Sequence, residues 1–412
     1  MPRRPVHRVR CHIAARTGVR HDRDRRSRPH RGPARPDDGH RAGPGPVARR
    51  VRVGGGALLR DMDAATQEHG LAVPAGEIGH TGVAGLTLGG GMGWLTRRAG
   101  LTIDNLLAAQ VVLADGGVVR ADTEEHPDLF WALRGGGGNF GIVTEFEFAA
   151  VPVGPIVSFG LFFFGLDDGA AVLRAARETI PHLPPTVGFQ IIAVTAPPAP
   201  FVPAEVQHRL GWAIAVVGTT GSTPDPEAEQ VHERVRATFP ERLFEFCTPM
   251  PFTALQQMFD EGNAWGMHAY DKSCSVATLT EPAIEVLAEH VARKVSPMSV
   301  VHLYTLDGAY SAVAEDATAF GGGRSPRLTV FLIGLSPDGA GLPAERAWVR
   351  AFHRALLPHA IGTGMYVNAM TADDADRLRA TYGDKYDRLA EIKAVYDPAN
   401  LFHRNANIPP AG

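Results

Sequence analysis

The sequence predicts an α+β fold whose sheets are largely antiparallel. Long β-rich runs occur at 156–166, 186–196 and 327–336, with helical segments placed irregularly between them. The segment AAQVVLADGGVVRA predicts a hairpin, because Asp115-Gly116-Gly117 joins two β-rich runs and is a typical turn sequence. Strands that follow one another in this way, without strict alternation with helices, are typical of the α+β class.

The elements near the hairpin follow from periodicity. The segment 57–70 carries apolar side chains at helical spacing and ends in glycine, which predicts a helix. HPDLFWALR predicts a short helix with Pro127 in its first turn. Residues 142–148 alternate, which predicts a strand with one face formed by Ile142, Thr144, Phe146 and Phe148.

The composition is that of a globular protein without membrane spans. The chain has 412 residues, of which 44% are apolar and 21% charged, enough for more than one domain. It contains no run of 18 apolar residues, so we expect no membrane partner. Three scattered cysteines exclude a disulfide framework and a zinc site, and with no secretory signal at the start they favour a cytoplasmic location.

Residues 1–50 differ from the rest of the chain. They contain 15 arginines and four aspartates but no lysine or glutamate. Such a segment buries too little apolar surface to offset the entropy of ordering, so we expect it to be aberrant and disordered. Three explanations stay open: a basic tail that binds nucleic acid or membrane, a tail without a role, or a segment translated out of frame. We expect no nucleic-acid partner.

Two glycine-rich segments, 82–93 and 136–143, lie on either side of the hairpin. Gly136, Gly138 and Gly141 satisfy G-x-G-x-x-G, but a helix precedes them and a strand follows, the reverse of a Rossmann fingerprint. Glycine still allows main-chain N–H groups to approach an anion closely. We therefore expect either a large anionic ligand bound by main chain, or tight turns alone. We expect no metal site, because the histidines are spread out.

PAGEIGHTGVAGLTLGGGMGWLTRRAGLTIDNL, followed by HPDLFWALRGGGGNFGIVTEFEF, resembles the FAD-binding domain of the p-cresol methylhydroxylase (PCMH)/vanillyl-alcohol oxidase superfamily. YDPANLFHRNANIPP and PFTALQQMFDEGNAWGMHAYDKS resemble its berberine-bridge-enzyme-like branch. The resemblance implies FAD as cofactor. It implies a PCMH-type FAD-binding domain of two subdomains at 51–152, incomplete here, and a substrate domain at 153–365 whose antiparallel sheet is flanked by helices. Residues 366–412 would return to the FAD domain.

The resemblance also implies which residues contact FAD. They come from the two glycine-rich segments and the C-terminal motif: Thr81, Gly82, Gly85, Thr87, Gly90, Asn139, Gly141, Val143, Asn405 and Asn407. Many relatives tether the flavin through a histidine and a cysteine. Ile78 stands at the cysteine's place, so that bond is excluded, and His12 is the candidate for the histidine. Because upstream strands are missing, a chain that holds no FAD stays an alternative.

The resemblance further implies the catalytic groups. GMYVNAM places Tyr366 and Asn368 on one face if extended, and Tyr366 would be the base that takes the substrate proton. The tyrosine pKa of about 10 must be lowered for this role, and Lys272 is the candidate cation. Tyr270 and Arg324 would line the substrate cavity. A core tyrosine or a solvated charge is the alternative for each of these side chains.

These observations predict an FAD-dependent oxidoreductase that transfers a hydride from an alcohol, sugar or secondary-metabolite carbon to flavin N5. The expected acceptor is O2, giving H2O2, and the small side chain of Thr81 near the expected oxygen pocket favours an oxidase. A dehydrogenase with another acceptor and an inactive flavin-free remnant are the alternatives. Neither the substrate nor the oligomeric state follows from the sequence.

Overall fold

The computed structural model describes residues 9–12 (main chain only), 49–362, 364–370 and 377–412. It confirms the α+β class, with two antiparallel sheets and helices between and around them. Most of the segment 1–50 lies outside the described residues. Within it, 9–12 form a strand and Arg49 begins another, so the expected disorder is wrong for these residues.

The first sheet contains the predicted hairpin. Its strands are β1 (Val9–His12), β2 (Arg49–Gly54), β3 (Leu71–Ala72), β4 (Leu106–Val112), β5 (Val118–Ala121) and β6 (Ile142–Pro152). They are ordered β1-β2-β6-β4-β5, and β3 pairs with the end of β6. The turn between β4 and β5 is the Asp115-Gly116-Gly117 segment, with Gly116 at φ +85°.

The predicted face of β6 is wrong at its start. Ile142 and Thr144 are exposed, whereas Val143, Phe146 and Phe148 are buried. The register between β4 and β6 shifts between Gln110 and Val111, where an irregularity adds a residue. Such a bulge exchanges the inward and outward positions of the strand, and strict alternation does not reveal it.

The second sheet has seven strands: β7 (Ile156–Gly165), β8 (Val187–Thr195), β9 (Leu210–Gly218), β10 (Arg242–Pro251), β11 (His268–Val276), β12 (Val300–Leu306) and β13 (Arg327–Ser336). Their order is β10-β7-β9-β8-β12-β13-β11, and every neighbouring pair is antiparallel. The strand runs expected at 156–166, 186–196 and 327–336 are therefore confirmed.

The helices of the described residues are α1 (Leu59–Gln67), α2 (Val83–Gly89), α3 (Thr96–Ala99), α4 (Pro127–Leu133), α5 (Gly169–Thr179), α6 (Pro226–Thr238), α7 (Phe252–Leu255), α8 (Glu281–Ala292), α9 (Leu342–Leu356), α10 (Leu378–Tyr382) and α11 (Lys385–Tyr396). In this part of the chain none is both long and apolar enough to cross a bilayer.

The seven-stranded sheet has one helix-covered face. Side chains of α5, α6, α8 and α9 form a single apolar cluster with alternate residues of its strands, such as Leu173, Ile214, Leu303 and Phe352. The residues between them project to the opposite face, because successive side chains of a strand alternate. That opposite face contacts the segment that follows α2, so the fold presents a sheet to a glycine-rich main chain.

The C-terminal segment contains a buried ion pair and is joined to Asn139 by hydrogen bonds. Lys393 Nζ lies 2.5 Å from Asp397 Oδ2, and neither side chain is exposed. Lys393 also donates to the carbonyl of Asn139 at 2.7 Å, and the Asn139 Oδ1 accepts from the main-chain N–H of Ile408 at 3.0 Å. The last residues are thereby attached to the second glycine-rich segment.

Candidate active site

Main-chain hydrogen bonds bring the glycine-rich segments together. The N–H of Val83 donates to Ala57 at 2.9 Å, and the N–H of Gly55 donates to Thr144 at 2.8 Å. The N–H of Gly137 donates to Leu88, also at 2.9 Å. The end of β2, the start of α2, the second glycine-rich segment and the start of β6 therefore form one continuous surface.

Part of this surface is open. A Cβ atom on Gly82 or Gly85 would meet no atom within 4 Å, and both residues are exposed. Thr81 is half-buried beside them, and Asn405 is exposed next to Gly138. The predicted residues at these positions border space that a ligand can occupy.

Two further predicted residues carry polar atoms that lack partners. Thr87 Oγ1 and Asn407 Oδ1 are buried without a hydrogen bond in the described structure. Buried polar atoms are normally satisfied, so each such atom requires an explanation. The open glycine positions and the unsatisfied oxygens fit a large ligand that carries hydrogen-bond donors, as FAD does. Thr81, Gly82, Gly85, Thr87, Asn405 and Asn407 are the residues that would hold it.

The other predicted cofactor residues pack against protein. A Cβ on Gly90 would lie 2.9 Å from Phe320, and one on Gly141 would lie 2.6 Å from Val111. The Val143 side chain is buried in the first core, and the Asn139 amide binds Gly136 and Ile408. The side-chain positions of these four residues are filled or surrounded by protein. Only their main chain is left for the predicted contact with FAD.

The register of β1 bears on the proposed tether. His12 pairs with Arg50, whereas Val9 pairs with Val53 near the glycine end of β2. His12 thus lies roughly 13 Å from Gly54 along the strand, at about 3.3 Å per residue. This register gives no support to a covalent bond at His12, which stays a prediction.

Tyr366 lies against the first glycine-rich segment. Its hydroxyl accepts from the N–H of Gly91 and from Asn368 Nδ2, both at 2.8 Å. Residues Val367–Ala369 form a 3-10 turn, so the expected extended conformation is wrong. Burial raises the pKa of Tyr366 to about 12, although the hydrogen bonds from Gly91 and Asn368 lower it in part.

Lys272 is not positioned to activate Tyr366. The N–H of Tyr366 donates to the Oγ of Ser273 at 3.1 Å, and Lys272 projects to the opposite face of β11 from Ser273. Its Nζ lies 5.3 Å from the Tyr270 ring, and the Tyr270 hydroxyl accepts from Arg350 of α9 at 2.9 Å. The predictions for Lys272 and Tyr270 are therefore wrong, because both side chains lie on the helix-covered face of β11. Alternation in the sequence separates the two faces of the strand but does not show which face lies towards the glycine-rich segment.

Arg324 is buried and paired. Its guanidinium makes two hydrogen bonds to Asp104, at 2.8 and 2.7 Å, and only 4% of its side chain is exposed. Both the predicted place at the cavity and the alternative of a solvated charge are therefore wrong. The pair fixes the loop 318–324 to the segment after the first glycines.

A cavity of about 250 Å³ lies beside Tyr366, between the glycine-rich segment and the sheet. Its apolar wall includes Met92, Phe320 and Tyr310. Its polar wall includes Ser275 and Thr329, whose hydroxyls lie 2.9 Å apart. Arg327 also lines the cavity, but its guanidinium is held by Gly322 and Ser325.

Two residues of the cavity wall, Ser275 and Thr329, begin a row of polar residues that crosses the sheet. Ser275 pairs with Thr329, Thr329 with Tyr304, and Tyr304 with Gln190. Directly paired side chains share a face and lie about 5 Å apart. Sequence reasoning missed this row, since each member is an ordinary strand residue and only the register aligns them. Among the described residues, no three potential ligands gather as a metal site.

Glu77 lies beneath this row. The Tyr304 hydroxyl donates to Glu77 Oε2 at 3.2 Å, and Gln190 Nε2 donates to Glu77 Oε1. The Gln190 Oε1 lies 2.7 Å from His302 Nε2. Burial raises the pKa of Glu77 to about 8, which the hydrogen bonds from Gln190 and Tyr304 lower in part. Burial lowers the pKa of His302 to about 3, so this ring is neutral.

Fold and site together define a flavin-dependent enzyme in which a glycine-rich main chain faces a sheet-lined cavity. Residues 45–122 match the family model described as FAD binding domain, and residues 365–409 match the one described as Berberine and berberine like. The chain belongs to the berberine-bridge-enzyme-like FAD-linked oxidoreductases of the PCMH/vanillyl-alcohol oxidase superfamily. FAD is its cofactor.

Individual proteins agree with this assignment. The chain is 31% identical over 378 residues to FAD-linked oxidoreductase OXR1 of Pyricularia oryzae. The matched region covers 87% of this chain and 71% of the relative. It is 28% identical to (R)-6-hydroxynicotine oxidase of Paenarthrobacter nicotinovorans, over 88% of this chain and 78% of that one. The structure of a chitooligosaccharide oxidase superposes with a TM-score of 0.74 at 22% identity, over 88% and 79% of the two chains, which shows the fold.

Proposed function

We propose that this enzyme oxidises a small hydroxyl-bearing molecule, an alcohol, a sugar or a secondary metabolite, and passes the electrons to O2 with formation of H2O2. The observation that carries the proposal is the row of hydroxyl groups on Ser275, Thr329 and Tyr304. Ser275 and Thr329 line one wall of the cavity, and Tyr304 lies next to Thr329 on the neighbouring strand. Hydroxyl groups of this kind recognise a hydroxylated substrate without a net charge. Similarity to relatives named xylooligosaccharide oxidase and (R)-6-hydroxynicotine oxidase supports the proposal.

Bound FAD supplies the hydride acceptor, and the chain supplies position and proton transfer. The open surface at Gly82 and Gly85 allows the main chain to approach the cofactor. The closed surface at Gly90 and Gly91 supports Tyr366, which borders the cavity. Apolar residues of the cavity exclude water from the reacting carbon, and the hydroxyl row orients the substrate.

The test uses the purified full chain. We expect yellow protein whose flavin absorbance is bleached under anaerobic conditions by at least one member of a panel of primary alcohols and aldoses. Admission of O2 should restore the absorbance and yield H2O2 stoichiometrically. Denaturation should release the flavin, because Ile78 excludes the thioether and the register of β1 does not support a bond at His12.

Three results would contradict the proposal. A flavin that no panel member bleaches excludes this substrate class. Reoxidation only by an artificial acceptor makes the protein a dehydrogenase. A colourless protein that added FAD does not stabilise against heat would favour the inactive alternative.

A further inference from the structure

We propose that Tyr304 and Glu77 form the proton-accepting pair of the active site, with Tyr304 as the catalytic residue and Glu77 as the residue that positions and drives it. This inference rests on the proposed oxidation of a hydroxyl group. It departs from the sequence-based expectation that Tyr366 is the base.

Geometry favours Tyr304 over Tyr366. The Tyr366 hydroxyl already accepts two N–H groups, from Gly91 and Asn368, and so holds the glycine-rich segment in place. The Tyr304 hydroxyl instead faces a carboxylate oxygen of Glu77 at 3.2 Å. Tyr304 pairs directly with Thr329, which lines the cavity, and it is half-buried rather than enclosed. Tyr304 and Thr329 are therefore neighbours on the face of the sheet that lines the cavity, so a substrate bound against Thr329 lies next to Tyr304.

Glu77 is held by donors alone. Tyr304 donates to one carboxylate oxygen, and Gln190 donates to the other. Because the Gln190 amide oxygen faces His302 Nε2, that nitrogen carries a hydrogen and donates. The His302 ring also stacks on Tyr304, with centroids 4.1 Å apart, and fixes the direction of the phenol. The whole arrangement points its donors towards a single buried carboxylate.

The proposed step balances as follows. The substrate O–H bond breaks, and its proton goes to the Tyr304 oxygen. The Tyr304 O–H bond breaks at the same time, and that proton goes to Glu77 Oε2, so Tyr304 is neutral before and after. Bound FAD would supply the acceptor for the hydride that leaves with the electron pair of the substrate C–H bond. Glu77 changes from carboxylate to carboxylic acid, and its proton returns by the same path after the product leaves.

Other titratable groups near Glu77 come from three elements. Tyr304 and His302 belong to β12, and Tyr366 of the C-terminal segment lies beyond Tyr304, separated from it by Phe331. Asp63 of α1 is joined to the Gly76 carbonyl through Gln256, whose Nε2 lies 3.3 Å from Asp63 and 3.1 Å from Gly76. Burial raises the pKa of Asp63 to about 7, so Asp63→Asn is the matched control: a buried carboxyl that does not touch Tyr304.

The first measurement needs no substrate. In FAD-loaded enzyme, infrared difference spectra taken across a pH titration should show a buried carboxylic C=O stretch that disappears near the Glu77 pKa of about 8. Glu77→Gln should remove this band, Tyr304→Phe should shift its frequency, and Asp63→Asn should leave it in place. A band that Tyr304→Phe does not shift would show that the two groups are not joined and would overturn the pair.

The second measurement follows flavin reduction by the panel alcohol or aldose that bleaches wild type. The reduction rate should rise with pH through the Glu77 titration in wild type and in Asp63→Asn. Tyr304→Phe and Glu77→Gln should each slow it ~10²-fold or more, and Glu77→Gln should also lose the pH-dependent rise.

Two outcomes separate the proposals. Failure of the proposed function appears in wild type, as flavin that no panel member bleaches. Failure of the proton-accepting pair appears as bleaching that Glu77→Gln and Tyr304→Phe leave at the wild-type rate and pH profile. If Tyr366→Phe alone abolishes bleaching, Tyr366 is the base and the pair is wrong.

Discussion

The glycine-rich segment 82–93 has two halves with different surroundings. In the first half, a Cβ on Gly82 or Gly85 would meet nothing within 4 Å. In the second half, a Cβ on Gly91 would lie 2.1 Å from Thr102 Oγ1, and one on Gly93 would lie 2.1 Å from the Ala75 carbonyl oxygen. In the second half, neighbouring protein atoms leave no room for any residue larger than glycine. In the first half, the space beside the glycines is open and a ligand can occupy it.

The difference shows that one sequence signal has two physical causes. Glycine enrichment predicted either a bound ligand or tight turns for the whole segment, yet within it only Gly82 and Gly85 have room for an added Cβ atom. The second part packs beneath the seven-stranded sheet and against Glu77, whose Cγ lies 3.3 Å from the Cβ position of Gly93. We therefore expect substitutions in the two halves to separate cofactor binding from folding.

The largest expected effect concerns the carboxyl that the closed half buries. The pKa of Glu77 is about 8 in the folded protein and 4.5 ordinarily, so the unfolded state loses this proton first. Stability from this group is complete below pH 4.5 and is lost as the pH rises through about 8. At about 1.4 kcal/mol per pKa unit, the loss amounts to several kcal/mol. Urea unfolding at a series of pH values should show a decline that continues to about pH 8 in wild type and ends near pH 7 in Glu77→Gln, where Asp63 still titrates.

Asp63→Asn is the control for this measurement. The pKa of Asp63 is about 7, one pH unit below that of Glu77. Asp63→Asn should therefore remove only the part of the stability loss that ends near pH 7, and the part that ends near pH 8 should remain. Parallel curves for wild type and Glu77→Gln would mean that Glu77 is not enclosed as the structure places it.

Gly93→Ala should give the next largest effect. The added methyl collides with main chain that has no freedom to rotate away, so we expect a loss of about 3 kcal/mol in the free energy of unfolding. Gly82→Ala is the matched control, since its φ of −71° suits alanine and its surroundings are open, and it should change stability by less than about 0.5 kcal/mol. Equal losses in both variants would remove the distinction between the halves.

Gly85→Ala should change stability less than Gly93→Ala does, and with the opposite sign. Gly85 lies within α2 and is exposed, so alanine should stabilise the FAD-free protein by about 0.5–1 kcal/mol through helix propensity. The same methyl should weaken FAD binding, because it occupies the open surface. Fluorescence titration with FAD checks the affinity, and unaltered binding would place the cofactor elsewhere.

Local patterns predicted much of the fold. Alternation and turn chemistry identified the hairpin of β4 and β5 and the strands of the second sheet, and helical spacing identified α1 and α4. The bulge between β4 and β6 escaped prediction, because the extra residue of β6, Thr144 opposite Gln110–Val111, leaves no compositional trace. The same limit reversed the orientation of Lys272, since alternation cannot say which parity of β11 faces the glycines.

The candidate site was only partly predictable. Thr81, Gly82, Gly85 and Asn405 border open space as the resemblance implied. Glu77 lies within the quoted glycine motif, yet nothing local marks it. Its partners Tyr304 and Gln190 come from strands more than 100 residues away and meet only through the register of the sheet. Long-range pairing of this kind is what a single sequence conceals.

The ion pair of Lys393 and Asp397 has a consequence for how the enzyme matures. Asn139 is held on its carbonyl by Lys393 and on its side chain by the main chain of Ile408. A nascent chain on the ribosome that has not yet released these residues lacks both attachments. We therefore expect FAD binding to require residues 393–408, and translation arrested shortly before position 393 should yield a product that FAD cannot rescue from proteolysis.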